Sequence, residues 1–438
     1  MKIKPPHKLA INLTISLLWV AFAVWISQPW VADMAREVHI IFAWTVLMGV
    51  AVVPGWATMF ILLSLLSDRR PKHYLEADLA HPITILIAAY NEENTIAATL
   101  NSIISQAYVG PARIIVIDDG SQDATAGVVA SFALNAGNTA KTVELISLPK
   151  NSGKSVALNR GLKEVDSEFV LTVDADTYLY KDALSNIVKA MVYSNIRMGA
   201  VAGTILVRNS RKNFLTKMQE WDYFHGIAVI KRAQSLYYGT LVAQGAFSIY
   251  RTEAVRFVGG WADLVGEDIV LTWALRSANY RIGYCECAFG FTNVPETLSQ
   301  FYRQRKRWAR GLIEAFKSSP RTLVQIRMNT PFIWYNLMFP FIDLSYVLFF
   351  IPGIIMAVFG YPLMAGILTI LLIPMMVIGT VIYFGFENDI FKKHGLRVRK
   401  NGLGLIGYLL VYQLLMTTAS LAGYFSEITN RSKSWETK

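Results

Sequence analysis

Cysteine is nearly absent from this chain of 438 residues: Cys285 and Cys287 are the only two. Two thiols cannot build a disulfide framework, and a lone Cys-x-Cys without further ligands does not make a zinc site. We expect two free thiols on one face of a strand, in a reducing compartment. Charge is scarce as well. Charged residues make up 17% and hydrophobic residues 53%, greasier than an ordinary soluble domain. The charge there is leans one way, with 42 Lys and Arg against 31 Asp and Glu, a net +11. That suits loops beside anionic lipid, or an anionic substrate. No basic–aromatic nucleic-acid module appears, so nucleic acid is not expected as a partner. A Walker A loop is missing too. Asn151-Ser152-Gly153-Lys154-Ser155 resembles its end, but the glycine it needs at position 148 is Leu148. Lys154 then either meets a phosphate by another route or is simply solvated.

What the chain has in quantity is uncharged sequence. No Asp, Glu, Lys or Arg occurs from Leu9 to Ala32, from Val38 to Ser67, from Leu344 to Phe386, or from Asn401 to Ser426. A bilayer core needs ~20 apolar residues per helix. The second run is interrupted at Pro54-Gly55, and the third is long enough for two spans turning at Gly360-Tyr361-Pro362. Five transmembrane helices are therefore predicted, two within residues 1–67 and three within 331–426, with 427–438 as a tail. A cleaved signal peptide is the alternative for the first run, but no clean small-x-small site follows it. Lys2, Lys4 and Lys8, then Arg69, Arg70 and Lys72, then Lys392, Lys393, Arg397, Arg399 and Lys400 all fall on one side of a five-span chain. By the positive-inside rule that side is cytoplasmic. The expectation is a multi-pass protein of the cell membrane, with residues 68–296 in the cytoplasm. The tail would lie outside, which its Arg431, Lys433 and Lys438 oppose. Asp343, at the start of the third span, is either a functional intramembrane acid or an interfacial residue.

Between the greasy ends the pattern alternates. Ile83–Ala88, Arg113–Ile117 and Phe169–Val173 read as strands; Thr95–Gln106 and Asp123–Leu134 read as helices. Such alternation predicts an α/β domain with a mostly parallel sheet, whose ligands bind at the carboxyl ends of the strands. Asp118-Asp119 and Asp174-Ala175-Asp176 fall at those ends. Two carboxylates one residue apart can share Mg2+ or Mn2+ with substrate phosphates, although Asp-x-Asp also serves as an ordinary turn. Glu267-Asp268 opens a helical run. On spacing alone an N-cap is the simpler reading, and a general base the sharper one. Thr297-Leu298-Ser299-Gln300 reads as a capping box. The helix it opens carries Phe301, Trp308, Leu312 and Phe316 on one face and suits a membrane interface, within a segment 297–330. Arg305 and Arg307 could clamp a diphosphate, whereas Lys306 and Arg310 read as surface residues.

Taken in order, these segments resemble the processive family-2 membrane glycosyltransferases: the cellulose, chitin, hyaluronan and poly-N-acetylglucosamine synthases. The resemblance is carried by Ala89-Tyr90-Asn91-Glu92-Glu93, Asp118-Asp119-Gly120-Ser121, Asn151-x-Gly153-Lys154, Ala157-Leu158-Asn159-x-Gly161, Asp174-Ala175-Asp176, Gly266-Glu267-Asp268 and Gln304-x-x-Arg307-Trp308, over about half the chain. It implies a GT-A fold and a UDP-sugar donor held by Ala89, Tyr90, Glu92, Asp118, Asp119, Lys154, Asp174, Gln304 and Arg307. It implies a metal at Asp174 and Asp176, and Asp268 beside Glu267 as the catalytic acids, with Asp268 the base. Gln244, Gly245 and Trp308 would meet the acceptor, a growing polysaccharide. Direct displacement would invert an α-linked donor into a β-linked product. The helix layout and Val294-Pro295-Glu296-Thr297-Leu298 point to N-acetylglucosamine as the sugar. Two departures stand out: cellulose synthases carry Thr where Gly266 stands, and Gln244-Gly245-Ala246-Phe247 replaces their Cys-Gly collar. The alternatives are transfer of a single sugar to a membrane lipid, or a scaffold with a decayed site. Small membrane or export partners fit the polymerase reading.

Overall fold

The computed structural model describes residues 3–68, 79–135, 140–194, 197–361, 364 and 367–430. Arg69, Arg70, Lys72, Pro362 and the tail residues Arg431, Lys433 and Lys438 lie outside them. Two long helices come first, α1 (Pro5–Ile26) and α3 (Ile40–Leu66), joined by the short α2 (Gln28–Glu37). They pair so that their far ends meet: Lys8 Nζ donates to the Ser67 carbonyl at 2.7 Å.

The central domain is built on an eight-stranded sheet of order β3-β2-β1-β4-β7-β6-β8-β5. Its strands are β1 (Ile83–Ala89), β2 (Ala112–Asp118), β3 (Lys141–Ser147), β4 (Phe169–Val173), β5 (Tyr178–Leu179), β6 (Met198–Val207), β7 (Phe247–Arg251) and β8 (Arg281–Thr292). Strands β3, β2, β1 and β4 are parallel, and β7 enters antiparallel between β4 and β6. The first strands bury both faces, as parallel strands between helical layers do. Ile83, Ile85 and Ile87 of β1 pack with Ile96, Leu100 and Ile103 of α4 (Ile96–Ile104), whereas Leu86, Ile115 and Ile117 face Ala157, Leu158 and Leu162 of α6 (Lys154–Leu162). Each fully buried aliphatic side chain contributes about 1.5–3 kcal/mol, so this alternation fixes the register and with it every strand end. Helices α5 (Thr125–Asn135) and α7 (Ala183–Val192) complete that layer.

Helix α8 runs through residues 214–236 with a π-helical middle, Asp222–Val229. It is followed by α9 (Thr252–Phe257) and α10 (Glu267–Ser277). Helix α11 (Leu298–Ser318) opens at the expected box: Thr297 Oγ1 accepts from the Gln300 N–H at 3.3 Å. The return arm lands one residue early, because Gln300 Oε1 accepts from the Glu296 N–H. Then come α12 (Thr330–Leu337), α13 (Phe339–Val358), α14 (Ile367–Lys393) and α15 (Gly402–Ile428). Among the described residues four helices are long and apolar enough to cross a membrane: α1, α3, α13 and α15. Helix α14 is also 27 residues long.

One sequence expectation changes, and two readings left open narrow. Arg310 is not a surface residue: it is buried and reaches Glu427 of α15 at 3.3 Å. Arg305 is wholly buried and held by Asp222 at 3.0 Å and Tyr412 at 2.9 Å, so it is not free to clamp a substrate. Lys154 is not solvated; two carboxylates hold it. In each case a partner distant in sequence supplies the burial. Asp343 is buried too, accepting from Thr417 and Tyr424 of α15. Cys285 and Cys287 are free thiols 3.6 Å apart on β8.

Candidate active site

The carboxyl ends of β1, β2 and β4 are stitched together by their own loops. After β1, Asn91 takes a left-handed conformation at φ 55°. Its N–H donates to Ser121 Oγ, its Oδ1 accepts from Gln122 N–H, and the Glu92 N–H donates to Thr125 Oγ1. After β2, Asp118 accepts from the Ser121 N–H at 3.1 Å. Asp119 accepts from the Ser152 and Gly153 N–H groups, both at 2.8 Å. Burial raises the Asp119 pKa, and those two N–H groups oppose the rise. Gly120 sits at φ 72°, and a Cβ there would stand 2.6 Å from the Lys150 backbone. Gly153, at φ 96°, starts α6 and aims Lys154 across the sheet.

Lys154 is the link between clusters. Its Nζ lies 2.5 Å from Asp174 Oδ1 and 3.4 Å from Glu267 Oε1. Burial works against its charge, but Asp174, Glu267 and Asp268 outweigh it and raise its pKa. Asp174 and Asp176 sit in the turn after β4, and Asp176 accepts from Thr292 Oγ1 of β8 at 3.2 Å. Burial lifts Asp176 to about 7, helped by the charges of Asp174 and Glu92. Burial likewise lifts Glu267 to about 7 against the pull of Lys154.

Glu267 and Asp268 begin α10. Asp268 accepts from the Ile269 N–H at 2.7 Å and from the Gly245 N–H at 3.3 Å. It is not the N-cap, a position Gly266 takes, and it faces the loop before β7. A Cβ on Gly245 would come within 2.7 Å of Lys154 Nζ, so glycine is what lets the loop close over the lysine. Gln244 donates to the Gly203 carbonyl at 2.6 Å and leaves its Oε1 buried without a hydrogen-bond partner. Gly266 has a local explanation. A side chain there would strike Gly311 Cα at 2.5 Å, and its N–H donates to Glu314 at 2.9 Å. The pair Gly266/Gly311 brings α10 and α11 into backbone contact, which a threonine would prevent.

That contact delivers the last cluster. Arg307 acts electrostatically on Glu267, and Gln304 Oε1 is buried without a hydrogen-bond partner. Trp308 packs its ring beneath the Arg305 guanidinium, 3.9 Å from its centroid, and lies 6.4 Å from Tyr223. These contacts link Asp119, Lys154, Asp174, Glu267 and Asp268 to one another, and Arg307 to Glu267 electrostatically. The sequence gives no sign of four further contributors: Asp222 and Tyr412, which hold Arg305; Thr292; and Lys231, which burial beside Asp268 brings down to about 7.

The donor set suits a hard divalent cation, since the charges of the Asp174 and Glu92 carboxylates are felt at Asp176. Among the described residues no three such side chains form a closed metal cage.

This sheet, with its strand-end carboxylates, is the GT-A glycosyltransferase fold, and residues 84–259 match the model of glycosyl transferase family 2. The chain thus carries a family-2 glycosyltransferase domain. It is 36% identical over 245 residues to poly-beta-1,6-N-acetyl-D-glucosamine synthase of Staphylococcus epidermidis, covering 55% of this chain and 58% of that one. The synthase of the same name from Staphylococcus aureus strain MSSA476 is 35% identical over 57% of this chain and 60% of its own. The chain thus spans less than two thirds of the length of these relatives. A mannosyltransferase from Pyrobaculum calidifontis, solved with GDP-Man and Mn2+, shares the fold at a TM-score of 0.55 and 19% identity, over 86% of this chain and 97% of that one.

Proposed function

We propose that the chain is an inverting, processive glycosyltransferase of the cell membrane that polymerises a β-linked polysaccharide from UDP-N-acetylglucosamine and passes it across the bilayer. The observation that carries this reading is Lys154, which joins the Asp174-x-Asp176 turn to Glu267-Asp268. That link supports a reading in which a diphosphate-binding group and a base lie side by side in one site. The likeness to the staphylococcal synthases supports the choice of sugar and of a polymeric product.

In this reading Asp118, Asp119, Ala89, Tyr90 and Glu92 hold the nucleotide. Asp174 and Asp176 hold Mg2+ or Mn2+, which when bound would neutralise charge on the departing diphosphate. Lys154, Arg307 and Gln304 meet the same diphosphate from the other side. Asp268 takes the proton from the acceptor hydroxyl as its oxygen attacks the anomeric carbon; the bond to phosphate breaks, and UDP leaves with the electron pair. Inversion follows from that single displacement. Gln244, Gly245 and Trp308 receive the acceptor. The orphaned Oε1 atoms of Gln244 and Gln304 favour this, because a sugar hydroxyl would satisfy each and an unpaired buried acceptor is otherwise costly. Residues 68–296 form the catalytic domain on the cytoplasmic side, and 297–330 meet the interface.

The test is to incubate membranes containing the chain with separate labelled UDP-sugars plus Mg2+ or Mn2+, then size and digest the product. Long polymer from UDP-N-acetylglucosamine, cut by a β-hexosaminidase, is expected. UDP release without polymer would remove the processive part. A lipid-extractable product one sugar long would favour the non-processive alternative.

A further inference from the structure

By length and composition α15 passes for a membrane span. Its partners do not allow one. At its start, Asn401 donates to the Lys217 carbonyl and to Glu220 of α8, and its own carbonyl accepts from Trp221 Nε1. Gly407 lies against Phe214 and Met218. Midway, Tyr412 bonds Asp222 and Arg305 and packs on Phe301. Further on, Gly423 meets the Lys306 carbonyl and Ala309. At the far end Glu427 bonds Arg310 and Lys317. Phe301 and Arg305 meet Tyr412, Ala309 meets Gly423, and Lys317 meets Glu427, so α15 runs parallel to α11 over most of its length.

A helix of 27 residues is about 40 Å long. Were α15 to cross the bilayer, its far end would stand roughly 30 Å beyond the catalytic domain. Instead its start touches α8 of that domain and its far end touches α11, which is itself bound to the domain through α10. Helix α11 cannot cross with it, because α11 is bound to α10 through Gly266 and Gly311 and carries Arg305, Lys306, Arg307 and Arg310. The two faces of α15 agree. The inward face is small or polar, with Gly404, Gly407, Thr417, Ser420, Gly423 and Glu427 buried. Leu403, Ile406, Leu410 and Leu414, then Phe425 and Ile428, recur at helical spacing on the outward face and are exposed. Just before it, Arg397, Arg399 and Lys400 supply the basic flank that anionic headgroups attract.

We infer that α15 is an interfacial helix and not a span: it lies along the cytoplasmic leaflet with its apolar face in lipid and its polar face on α11. The spans are then α1, α3, α13 and α14, the last by its uncharged stretch from Ile367 to Phe386. Four spans return the tail to the catalytic side, where Arg431 and Lys433 obey the charge rule that a five-span count makes them break. The bilayer would thereby press on α11, the helix that presents Gln304, Arg307 and Trp308. The side named here rests on the orientation proposed above; the helix's placement does not.

Two single-cysteine variants of the full chain decide it, Asp33→Cys in α2, the short helix between α1 and α3, and Lys433→Cys in the tail. Both are made in a Cys285→Ala, Cys287→Ala background and treated with a membrane-impermeant maleimide in intact and in permeabilised cells. Opposite sides for the two positions are expected, and the same side would overturn the inference. Which of the two reacts in intact cells reports the orientation separately. Spin labels at Leu403→Cys, Leu414→Cys and Phe425→Cys should all sit at one shallow depth in vesicles. A depth profile passing through the bilayer centre would equally overturn it.

Discussion

At the residue scale the cleft depends on a few atoms held in opposition. Asp268 touches no cation in hydrogen-bond range and keeps two backbone N–H groups, so its oxygens face the loop that would carry the acceptor. Asp268→Asn should lower turnover by about 10²–10⁴-fold, with donor binding retained, as measured by polymer formation alongside titration with UDP. Gly245→Ala places a methyl 2.7 Å from Lys154 Nζ. It should weaken donor binding by pushing the lysine off Asp174, while the thermal midpoint moves little; calorimetric titration with UDP checks it. The pH dependence follows from Asp176, which titrates at about 7. An ordinary carboxyl titrates near ~4, so between those values the folded chain holds a proton that the unfolded chain has released. Stability is therefore lost as pH rises from about 4 towards 7. Cation and donor binding, which need the ionised form, strengthen over the same rise and on to about 8. Melting curves and nucleotide affinity measured across that range should move in opposite directions.

At the scale of elements, α11 is the piece around which the site is assembled. It is clasped by α10 on one side and α15 on the other, through glycine contacts and buried ion pairs. Glu427 is the strongest clasp, since it serves both Arg310 and Lys317 and is itself buried. Glu427→Ala leaves Arg310 without its carboxylate, and breaking such a pair costs about 3–5 kcal/mol. We expect a lower thermal midpoint in detergent and loss of polymerisation, although no atom of Glu427 enters the cleft. The capping box of α11, the strand ends and the helix starts were all legible in the sequence, because each depends on residues within a few positions of one another. The roles of Arg305 and Arg310 were not. Their charge suggested substrate and solvent, and only Asp222, Tyr412 and Glu427, each more than 80 positions away, turn them into structural cations.

At the scale of the whole molecule, the α/β sheet domain is joined by buried polar contacts to helices long and apolar enough to cross a membrane. Arg232 and Asp68 meet at 3.1 Å, and Asn12 and Ser64 meet Tyr237, which ties α1 and α3 to the catalytic domain. The sheet's two large core clusters, by contrast, are built from aliphatic and aromatic side chains and do not depend on the strand-end carboxylates for their packing. Removing the cation should therefore stop sugar transfer without unfolding the protein. A chelator is expected to abolish polymer formation, Mg2+ or Mn2+ to restore it, and the melting temperature to change by no more than a few degrees.

The sequence by itself determined the α/β sheet, the positions of the acidic clusters at strand ends, and the presence of membrane-length apolar helices. Periodicity, turn residues and uncharged length are local properties, and local physics writes them directly. Only the tertiary structure decided that Lys154 joins two clusters, that Gly266 and Gly311 need each other, and that α15 lies along α11. Those depend on which surfaces meet across hundreds of residues. Apolar length is satisfied equally by spanning a bilayer or by lying on it with a polar face turned to protein, and what α15 packs against is what separates the two.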